Sequence, residues 1–326
     1  MSPRHALLLL AAVALAAFAY PGSSQVATQK RHAAKSTAAA RRAAALKAAA
    51  DSAAAARADS VRSAAEAAAA DSARKADSAA AALKAEESVR LRVIPNLAFG
   101  LGEKLVFDVN YGFITAGEAT LQVAGTDTIA GRACYRIEFR VNSLPSFSWI
   151  YRVEDKYVTY VDEETIAPWK FEQHVREGSY SRDFTASFDQ RRNIATTSEG
   201  KYRIPPYVHD ILSAFYFART LDYGPMKAGD QVQMFNFYKD TTYELGVRFL
   251  GRQELEVGAG TFRTVVIEPL VKEGGLIKSE GRIVIWLTDD DRKLPVRVNT
   301  KVVIGSIDTE LREYAGLRGP VTSRVK

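Results

Sequence analysis

The side chains that could do chemistry in this chain include two histidines, His174 and His209. His174 lies in an alternating segment typical of a strand, and His209 precedes Asp210 at the start of an apolar segment. Zinc-binding histidines recur at short, fixed spacings, such as four residues apart on a helix, and these two lie far apart in sequence. The pattern predicts no metal site and no cofactor, and it favours a structural hydrogen-bonding role for His209.

Two groups of adjacent carboxylates are the next candidates for acid–base chemistry. Glu154 and Asp155 lie in an alternating segment, so their side chains are expected on opposite faces of a strand. Asp162, Glu163 and Glu164 are typical of a turn. A catalytic carboxylate pair needs an apolar setting that raises the pKa of one member. Neither group shows such a setting in the sequence, so we expect no catalytic carboxylate pair.

Cysteine chemistry and the common catalytic motifs are not indicated either. Cys134 is the only cysteine, and no basic cluster adjoins it to lower the thiol pKa, so we expect a small residue at the start of a strand. The segment 289–293 lacks the spaced ligands of a calcium loop and predicts a polar hairpin turn. No nucleophile elbow, P-loop or dinucleotide-binding motif is present. These features favour a non-catalytic protein, and they leave open a hydrolase whose site is assembled in three dimensions.

Aromatic side chains support the most specific binding hypothesis. They cluster in residues 147–160 and along an apolar segment at 207–221. Aromatic residues usually fill a core, and that interpretation covers most of them. The alternative is an apolar cavity between a helix and a sheet that takes an acyl chain or a similar ligand. The expected lining of that cavity is Trp149, Ile211, Leu212, Phe215 and Trp286.

The elements that must position these residues are mostly strands. From Glu103 onward, apolar and polar residues alternate over short segments separated by Gly, Asp and Asn. The segment 207–221, after Pro205 and Pro206, instead has apolar residues at helical spacing on nearly all faces, which predicts an enclosed helix. We therefore expect a mainly β fold. It would be a strongly curved antiparallel sheet or open β-barrel of about ten strands that clasps one central helix.

An alanine-rich segment precedes these strands. Between Lys30 and Arg90, 29 of 61 residues are alanine, and Gly, Pro and aromatic residues are missing. This composition predicts an arm that is either helical or disordered. The formal charge of +6 comes almost entirely from the arm, since basic and acidic residues are equal in number over residues 91–326. The neutral domain argues against nucleic-acid binding, and the basic arm favours an envelope protein or a cell-wall polymer as partner.

The first residues are typical of a secretory signal. A short basic start precedes an apolar run over residues 6–19, which ends in the small-x-small pattern Ala17-Phe18-Ala19. No later segment is apolar over the roughly 20 residues that a membrane helix needs. The mature protein is therefore expected in the periplasm or outside the cell, without a transmembrane segment after signal cleavage.

Several ordered segments resemble a bacterial protein family. They are EKLVFDVNYGFITAGE from Glu103 to Glu118, VHDILSAFY from Val208 to Tyr216, Glu273-Gly-Gly, SEGRIVIWLTD from Ser279 to Asp289, and Leu294-Pro-Val296. These segments are similar to domain-of-unknown-function family 3108 over about residues 103–314. The resemblance implies an exported, mainly β protein and supplies no catalytic residue. The expected architecture is also similar to the lipoprotein-carrier fold of LolA and LolB, a likeness that does not fix function.

The predicted organisation has four parts. They are a signal peptide (1–19), an alanine-rich spacer (20–96), a β-rich domain (97–314) and a disordered tail (315–326). For the domain, the sequence favours a binding or carrier module for an apolar, lipid-like ligand. The alternative is a non-catalytic structural or assembly protein of the envelope that docks a protein or a glycan.

Overall fold

The computed structural model describes residues 65, 67–78, 90–271, 282–301 and 305–325. The chain divides into two units, one containing the sheet from Leu91 onward and one containing the spacer up to Arg90. In the spacer, residues 67–78 are helical, in agreement with the helical alternative for that segment. The predicted signal peptide and the remainder of the spacer lie outside the described residues. Among the described residues, no helix has the length and apolar character of a membrane span.

The domain is built almost entirely of strands, as the alternating pattern predicts. Two short helices interrupt them, α1 (Pro145–Ser148) and α2 (Ile211–Ala218). The strands are β1 Lys104–Tyr111, β2 Ile114–Ile129, β3 Arg132–Ser143, β4 Glu154–Asp162, β5 Pro168–Glu177, β6 Tyr180–Asp189, β7 Ile194–Thr197, β8 Gly200–Arg203, β9 Gln231–Tyr238, β10 Thr241–Val257, β11 Gly260–Val271, β12 Ile283–Thr288, β13 Pro295–Lys301 and β14 Ser306–Ala315.

The fourteen strands of the described residues form one antiparallel sheet. Its order is β8-β7-β6-β5-β4-β3-β2-β1-β14-β13-β12-β11-β10-β9. Neighbours in the sheet are neighbours in sequence except at β1, which pairs with β14. In this part of the chain the sheet is not closed, since β8 and β9 form its edges. The expected number of about ten strands is too low, in part because β7 and β8 have only four residues each and show little alternation.

The sheet curls until the regions near its two edges come together. β4 and β9 are far apart in the strand order, yet both contact α2. Tyr238 donates a hydrogen bond to Oε1 of Gln173 at 3.2 Å, and the rings of Phe237 and Phe188 have centroids 5.9 Å apart. The ring of Phe184 lies 5.4 Å from that of Tyr238. Side chains therefore join β9 to β5 and β6, and we call this contact between Gln173, Phe184, Phe188, Phe237 and Tyr238 the seam.

Helix α2 lies against the inner side of this curled sheet. The carboxylate of Asp210 accepts hydrogen bonds from the backbone N–H groups of Leu212 and Ser213, each at 2.9 Å. This cap starts the helix at Ile211, several residues after the prolines that mark the predicted start. Leu212 and Tyr216 are buried in the hydrophobic core, as expected of a helix that is apolar on most faces.

A buried ion pair fixes the segment that follows α2. Nη1 of Arg219 lies 2.6 Å from Oε1 of Glu103, and Nη2 lies 2.8 Å from Oε2. The same guanidinium donates to the backbone carbonyl oxygens of Ala98, Arg292 and Lys293. Because both charges are fully buried, each depends on the other to offset its loss of water. The pair ties the start of β1 to the end of α2 and to the β12–β13 connection.

The domain begins earlier than the predicted boundary at residue 97. The backbone N–H of Ile94 donates to the carbonyl oxygen of Glu164 at 2.7 Å, and the guanidinium of Arg92 lies 4.1 Å from the ring centroid of Tyr207. These contacts place residues 92–96 in the folded domain. The alanine-rich composition ends at Arg90. The first contacts of the domain begin close to this change in composition, ahead of the first alternating strand.

The predicted disordered tail is also wrong over the described residues 315–325. The backbone N–H of Ser323 donates to Oδ2 of Asp290 at 2.9 Å, and that of Val325 donates to the carbonyl oxygen of Thr261 at 2.8 Å. The backbone N–H of Arg263 donates to the carbonyl oxygen of Ser323 at 3.0 Å. The Gly, Pro and Ser content suggests disorder, but main-chain hydrogen bonds attach the segment to the start of β11.

Candidate functional site

Three connections between strands lie side by side along one side of the sheet, where the strands turn. Every second connection of an antiparallel sheet falls on the same side, and here these are the β1–β2, β3–β4 and β5–β6 connections. The backbone N–H of Leu144 donates to the carbonyl oxygen of Ala116 at 2.9 Å. The N–H of Gly178 donates to the carbonyl oxygen of Arg152 at 2.8 Å. These bonds hold the three connections as one surface.

This surface carries exposed apolar side chains. We call it the apolar rim, and its residues are Phe113, Ile114, Trp149, Ile150 and Tyr180. Phe113 is 99% exposed and Trp149 is 81% exposed. The indole N–H of Trp149 donates to the carbonyl oxygen of Ser146 at 2.9 Å, so the ring can leave water without losing its hydrogen bond. Exposed apolar side chains grouped in this way are typical of an interaction surface.

A pair of buried carboxyl groups lies directly inside the rim. Asp155 is the second residue of β4, and Glu177 is the last residue of β5. In the pairing of these strands Tyr157 lies opposite Gln173, and Val153 forms a bridge with Glu177. This register puts Asp155 and Glu177 diagonally next to each other on the inner face. Both side chains are buried, so two acidic groups share one water-poor site.

The surroundings of the pair leave polar atoms without partners. Oδ1 of Asp155 accepts a hydrogen bond from the backbone N–H of Arg176 at 2.8 Å. Within the described residues, Oδ2 of Asp155 has no donor apart from the proton that it can share with Glu177, the hydroxyl of Tyr157 makes no well-formed hydrogen bond, and both atoms are buried. Leaving such an atom unpaired costs about 1–3 kcal/mol. Groups that the protein leaves unpaired at this cost mark the site as a candidate for binding.

Burial governs the protonation of the pair. Burial, followed by the charge of Asp155, raises the pKa of Glu177 to about 8. Burial also raises the pKa of Asp155, although the backbone N–H of Arg176 acts in the opposite direction. Burial and the two carboxylates together raise the pKa of Tyr157. Near neutral pH the pair therefore holds a proton, as close carboxyl groups do when they cannot both ionise.

Tyr151 borders the pair from the rim side. It follows Trp149 and Ile150 in the β3–β4 connection and is half-buried. A Cβ added at Gly178 would lie 3.2 Å from Cε2 of Tyr151, so the ring lies directly over the β5–β6 turn. Burial and then the charges of Glu177 and Asp155 raise the pKa of Tyr151. The site can exchange a proton and can accept hydrogen bonds from a donor that enters beside this ring.

Comparison with protein-family models identifies a family for the β domain. The model described as "Protein of unknown function (DUF3108)" matches residues 106–312, which is more than half of the chain. The chain belongs to this family. The apolar rim and the carboxyl pair both lie inside the matched region. Comparison of this DUF3108 protein with curated proteins gives no match.

Solved structures similar to the DUF3108 protein include three bacterial proteins. A beta-barrel-like protein of domain of unknown function DUF1849 from Brucella abortus is 9% identical, with a TM-score of 0.45; the match covers 69% of this chain and 98% of that one. A proposed lipoprotein from Parabacteroides distasonis is 10% identical, with a TM-score of 0.32, and the match covers 69% and 100%. A proposed exported protein with a YmcC-like fold from Bacteroides fragilis is 10% identical, with a TM-score of 0.32, and the match covers 70% and 100%.

The predicted lining of an apolar cavity is not brought together in the DUF3108 protein. Trp149 is on the exposed rim. Trp286 lies on β12, where alternation puts it on the face opposite to the buried Ile285 and Leu287. Leu212 is buried in the core on α2, and Ile211 and Phe215 are partly buried beside it. The spacing of aromatic residues in the sequence does not show whether a side chain lies on an exposed connection, on the outer face of a strand or on the surface of a helix.

Several sequence predictions about single residues are confirmed. Glu154 is exposed and Asp155 is buried, so they do lie on opposite faces. The segment after Asp162 is a turn, and the 289–293 segment is the β12–β13 connection. Cys134 is buried near the start of β3, and burial raises its thiol pKa to about 12. The expectation that neither Glu154 nor Asp155 has a setting that raises its pKa is wrong for Asp155. This side chain is buried, and it lies beside Glu177 of the next strand, which the local sequence does not reveal.

His209 has the structural role that the sequence predicts. It is buried, and its Nδ1 lies 3.3 Å from the hydroxyl of Ser213. Burial, and then the charge of Arg92, lowers the pKa of His209 to about 3, so its ring is neutral. Its backbone N–H donates to the carbonyl oxygen of Phe235 at 2.9 Å. Through this contact His209 fixes the segment before α2 against β9.

Proposed function

We propose that the β domain of this DUF3108 protein is a binding module of the cell envelope that takes an apolar, lipid-like ligand at its apolar rim. The observation that carries the proposal is the grouping of exposed apolar side chains on adjacent connections at one end of the sheet. Proteins keep such groups when a partner covers them, because apolar surface in water is unfavourable. The predicted secretory signal supports an envelope location.

The chemistry of the rim favours lipid as the partner. Covering one large apolar side chain stabilises a complex by about 1.5–3 kcal/mol before the costs of association, so the five rim residues supply enough for useful affinity. Tryptophan and tyrosine also favour the interface between lipid and water, where an apolar ring and a polar group are both satisfied. Trp149 and Tyr180 on the rim meet that description.

The place of binding differs from the cavity that the sequence suggests. Leu212 is only 1% exposed, so its side chain already packs against the protein and offers a ligand no surface. On the rim, by contrast, Phe113 and Trp149 are mostly exposed and offer a ligand apolar surface. A ligand bound at the rim needs no rearrangement of the core, which makes the rim the more economical site.

Flotation with lipid vesicles tests the proposal. The chain from Tyr20 onward is mixed with phosphatidylcholine vesicles, and the fraction that floats in a density gradient is measured. We expect the wild type to float and the Phe113→Ser, Trp149→Ser double variant to lose at least about tenfold in affinity, which corresponds to about 1.4 kcal/mol. The matched control is Leu101→Ser, which removes a 61% exposed apolar side chain near the opposite end of the sheet.

The outcomes separate the lipid hypothesis from its alternative. A wild type that stays at the bottom of the gradient overturns lipid binding and favours the envelope assembly hypothesis, in which the rim docks a protein or a glycan. An equal loss of vesicle affinity in the Leu101→Ser control would show that nonspecific hydrophobic adsorption, and not the rim, causes flotation. Tryptophan fluorescence adds a second measurement, because emission from Trp149 should shift to the blue when its ring leaves water.

A further inference from the structure

We propose that Asp155 and Glu177 form a binding site for a primary ammonium group, supplied by the headgroup of a lipid that the apolar rim contacts. The inference rests on the proposed function and adds the class of headgroup. Its basis is the geometry of the pair: two adjacent buried carboxyl groups that can share a proton, and a buried hydroxyl without a well-formed hydrogen bond among the described residues, lie together behind the rim.

The atoms that surround the pair match the needs of an ammonium ion. An ammonium group has three donors and no acceptor. Among the described residues, Oδ2 of Asp155 is buried with no donor apart from the proton that it can share with Glu177, and the hydroxyl of Tyr157 beside it makes no well-formed hydrogen bond. Glu177 supplies further acceptor oxygens from the next strand. An ammonium group placed between them could donate one hydrogen bond to each of the three groups and balance the negative charge of the pair, which a neutral or anionic ligand would leave uncompensated.

Nearby arginines already have other partners. Nη2 of Arg176 lies 2.9 Å from each carboxylate oxygen of Asp183, and its Nη1 donates to the carbonyl oxygen of Val175 at 2.8 Å. Nη2 of Arg152 lies 2.7 Å from Oε1 of Glu154, which is exposed on the other face of β4. Both guanidinium groups are thus directed away from the buried pair, and a cation from outside would meet no competitor from these two side chains.

The position of the pair relative to the rim identifies the source of the cation. Asp155 and Glu177 lie at the rim ends of β4 and β5, and the half-buried Tyr151 follows directly after Trp149 and Ile150. When those two apolar residues enter a lipid surface, headgroups lie beside the strand ends. A headgroup amine can then reach the pair past the half-buried ring of Tyr151, whose face also favours a cation.

Binding should release a proton. The titratable groups at the site are the pair itself, Asp155 on β4 and Glu177 on β5, together with the neighbouring Tyr157 on β4 and Tyr151 on the β3–β4 connection. Arg176 adjoins the pair through its backbone N–H, and its guanidinium is directed toward Asp183. Among these groups Glu177, with a pKa raised to about 8 by burial and by Asp155, holds the proton at neutral pH. The bound ammonium takes the place of that proton, which passes to the buffer. No covalent bond is made or broken.

Calorimetry with ethanolamine tests the site without a membrane. The chain from Tyr20 onward is titrated at pH 7 in two buffers of different ionisation enthalpy, which together give the number of protons released. We expect binding with release of about one proton, by linkage to the raised pKa. Choline, whose quaternary nitrogen has no N–H donor, should bind about tenfold more weakly or not at all.

Isosteric variants assign the binding to the pair. Glu177→Gln and Asp155→Asn should each weaken ethanolamine binding by about tenfold or more. Glu154→Gln, which changes the adjacent exposed carboxylate, should bind as the wild type does. Thermal unfolding of each variant confirms that it is folded. Wild-type protein that does not bind ethanolamine, or Glu177→Gln protein that binds it unchanged, overturns the inference.

Vesicles distinguish a lipid headgroup from a free amine. The wild type should float more completely with vesicles of phosphatidylethanolamine and phosphatidylcholine than with phosphatidylcholine alone, and Glu177→Gln should lose only that preference. Ethanolamine binding without the preference would overturn the lipid source and assign the site to a soluble amine. Failure to float with any vesicle overturns the proposed function, and the calorimetric result still decides the ammonium site separately.

Discussion

Glu177 shows how a single residue gains properties that its sequence neighbours do not indicate. Its side chain lies on the same face of β5 as Phe171, Gln173 and Val175, all of which are buried. Burial and the adjacent carboxyl group of Asp155 raise its pKa from 4.5 to about 8. The folded state therefore holds a proton that the unfolded chain releases above pH 4.5. Stability is fully present below that pH and decreases as the pH rises toward 8.

The Glu177→Gln variant should remove this pH dependence. Between pH 7 and 8, His209, whose pKa falls from 6.5 to about 3 on folding, and Asp210, whose pKa rises to about 6, contribute only small slopes that the wild type and the variant share. In this interval the wild type should lose up to about 1.4 kcal/mol of unfolding free energy per pH unit, and Glu177→Gln should lose much less. Urea unfolding at several pH values measures the slopes. The Glu154→Gln control should show the same slope as the wild type. A Glu177→Gln variant whose unfolding free energy falls as steeply with pH as that of the wild type would contradict the assignment of the slope to Glu177.

The sequence predicts that Glu154 and Asp155 lie on opposite faces of a strand, but it does not predict the buried carboxyl pair. Alternation in β4 is enough to place Glu154 outside and Asp155 inside. The same alternation in β5 puts Glu177 on the buried face, and an acidic residue at a buried position was the available signal. What the sequence could not supply is the register of β4 against β5, which decides that these two groups meet. A one-residue shift would have pointed one of them to the opposite face.

At the scale of elements, the C-terminal segment shows where composition misleads. Residues 315–325 contain Gly, Pro, Ser and Arg, yet three main-chain groups of this segment take part in hydrogen bonds with the β11 region and Asp290. Asp290 also accepts hydrogen bonds from the backbone N–H groups of Arg292 and Lys293. The carboxylate therefore organises its own turn and attaches the C-terminal segment at the same time.

Removing residues 320–326 should destabilise the domain. Loss of the three hydrogen bonds to Ser323 and Val325 predicts a decrease of about 2–4 kcal/mol in unfolding free energy, measured by urea denaturation. Ser323→Ala is the matched control, since it keeps every main-chain bond and removes only a buried hydroxyl that lacks a partner in the described residues. Its stability should remain within about 0.5 kcal/mol of the wild type. A truncated chain as stable as the wild type would contradict a stabilising role for these hydrogen bonds.

Elements with a strong local pattern are predictable from the sequence, and those defined by long-range contacts are not. The alternation of β1, β3 and β6 is complete enough to predict each strand, and the apolar character of α2 predicts its burial. The start of α2 depends instead on Asp210, whose Oδ2 accepts a hydrogen bond from the hydroxyl of Thr159 on β4 at 2.7 Å. Contacts of this kind, between residues far apart in sequence, also explain the early start of the domain at Arg92.

At the scale of the whole molecule, the curled sheet depends on the seam. The described strands leave β8 and β9 as edges, so no ladder of main-chain hydrogen bonds closes the sheet there. The contact relies on packed rings and on the hydrogen bond from Tyr238 to Gln173. Side-chain packing of this sort is strong in total but can open locally. The seam is therefore expected to be the first long-range contact that the domain loses.

Phe237→Ala tests whether the seam holds the sheet curled. Deleting this buried ring should cost about 3–5 kcal/mol, and hydrogen exchange should accelerate first in β9 and β10, while β1 and β2 in the middle of the sheet keep their protection. Phe235→Ala, two residues earlier on the same strand where the side chain is partly exposed, should cost less than about 1 kcal/mol. Exchange that accelerates equally in all strands would mean that the seam and the rest of the sheet unfold as one unit, and the curl would then be a property of the whole sheet.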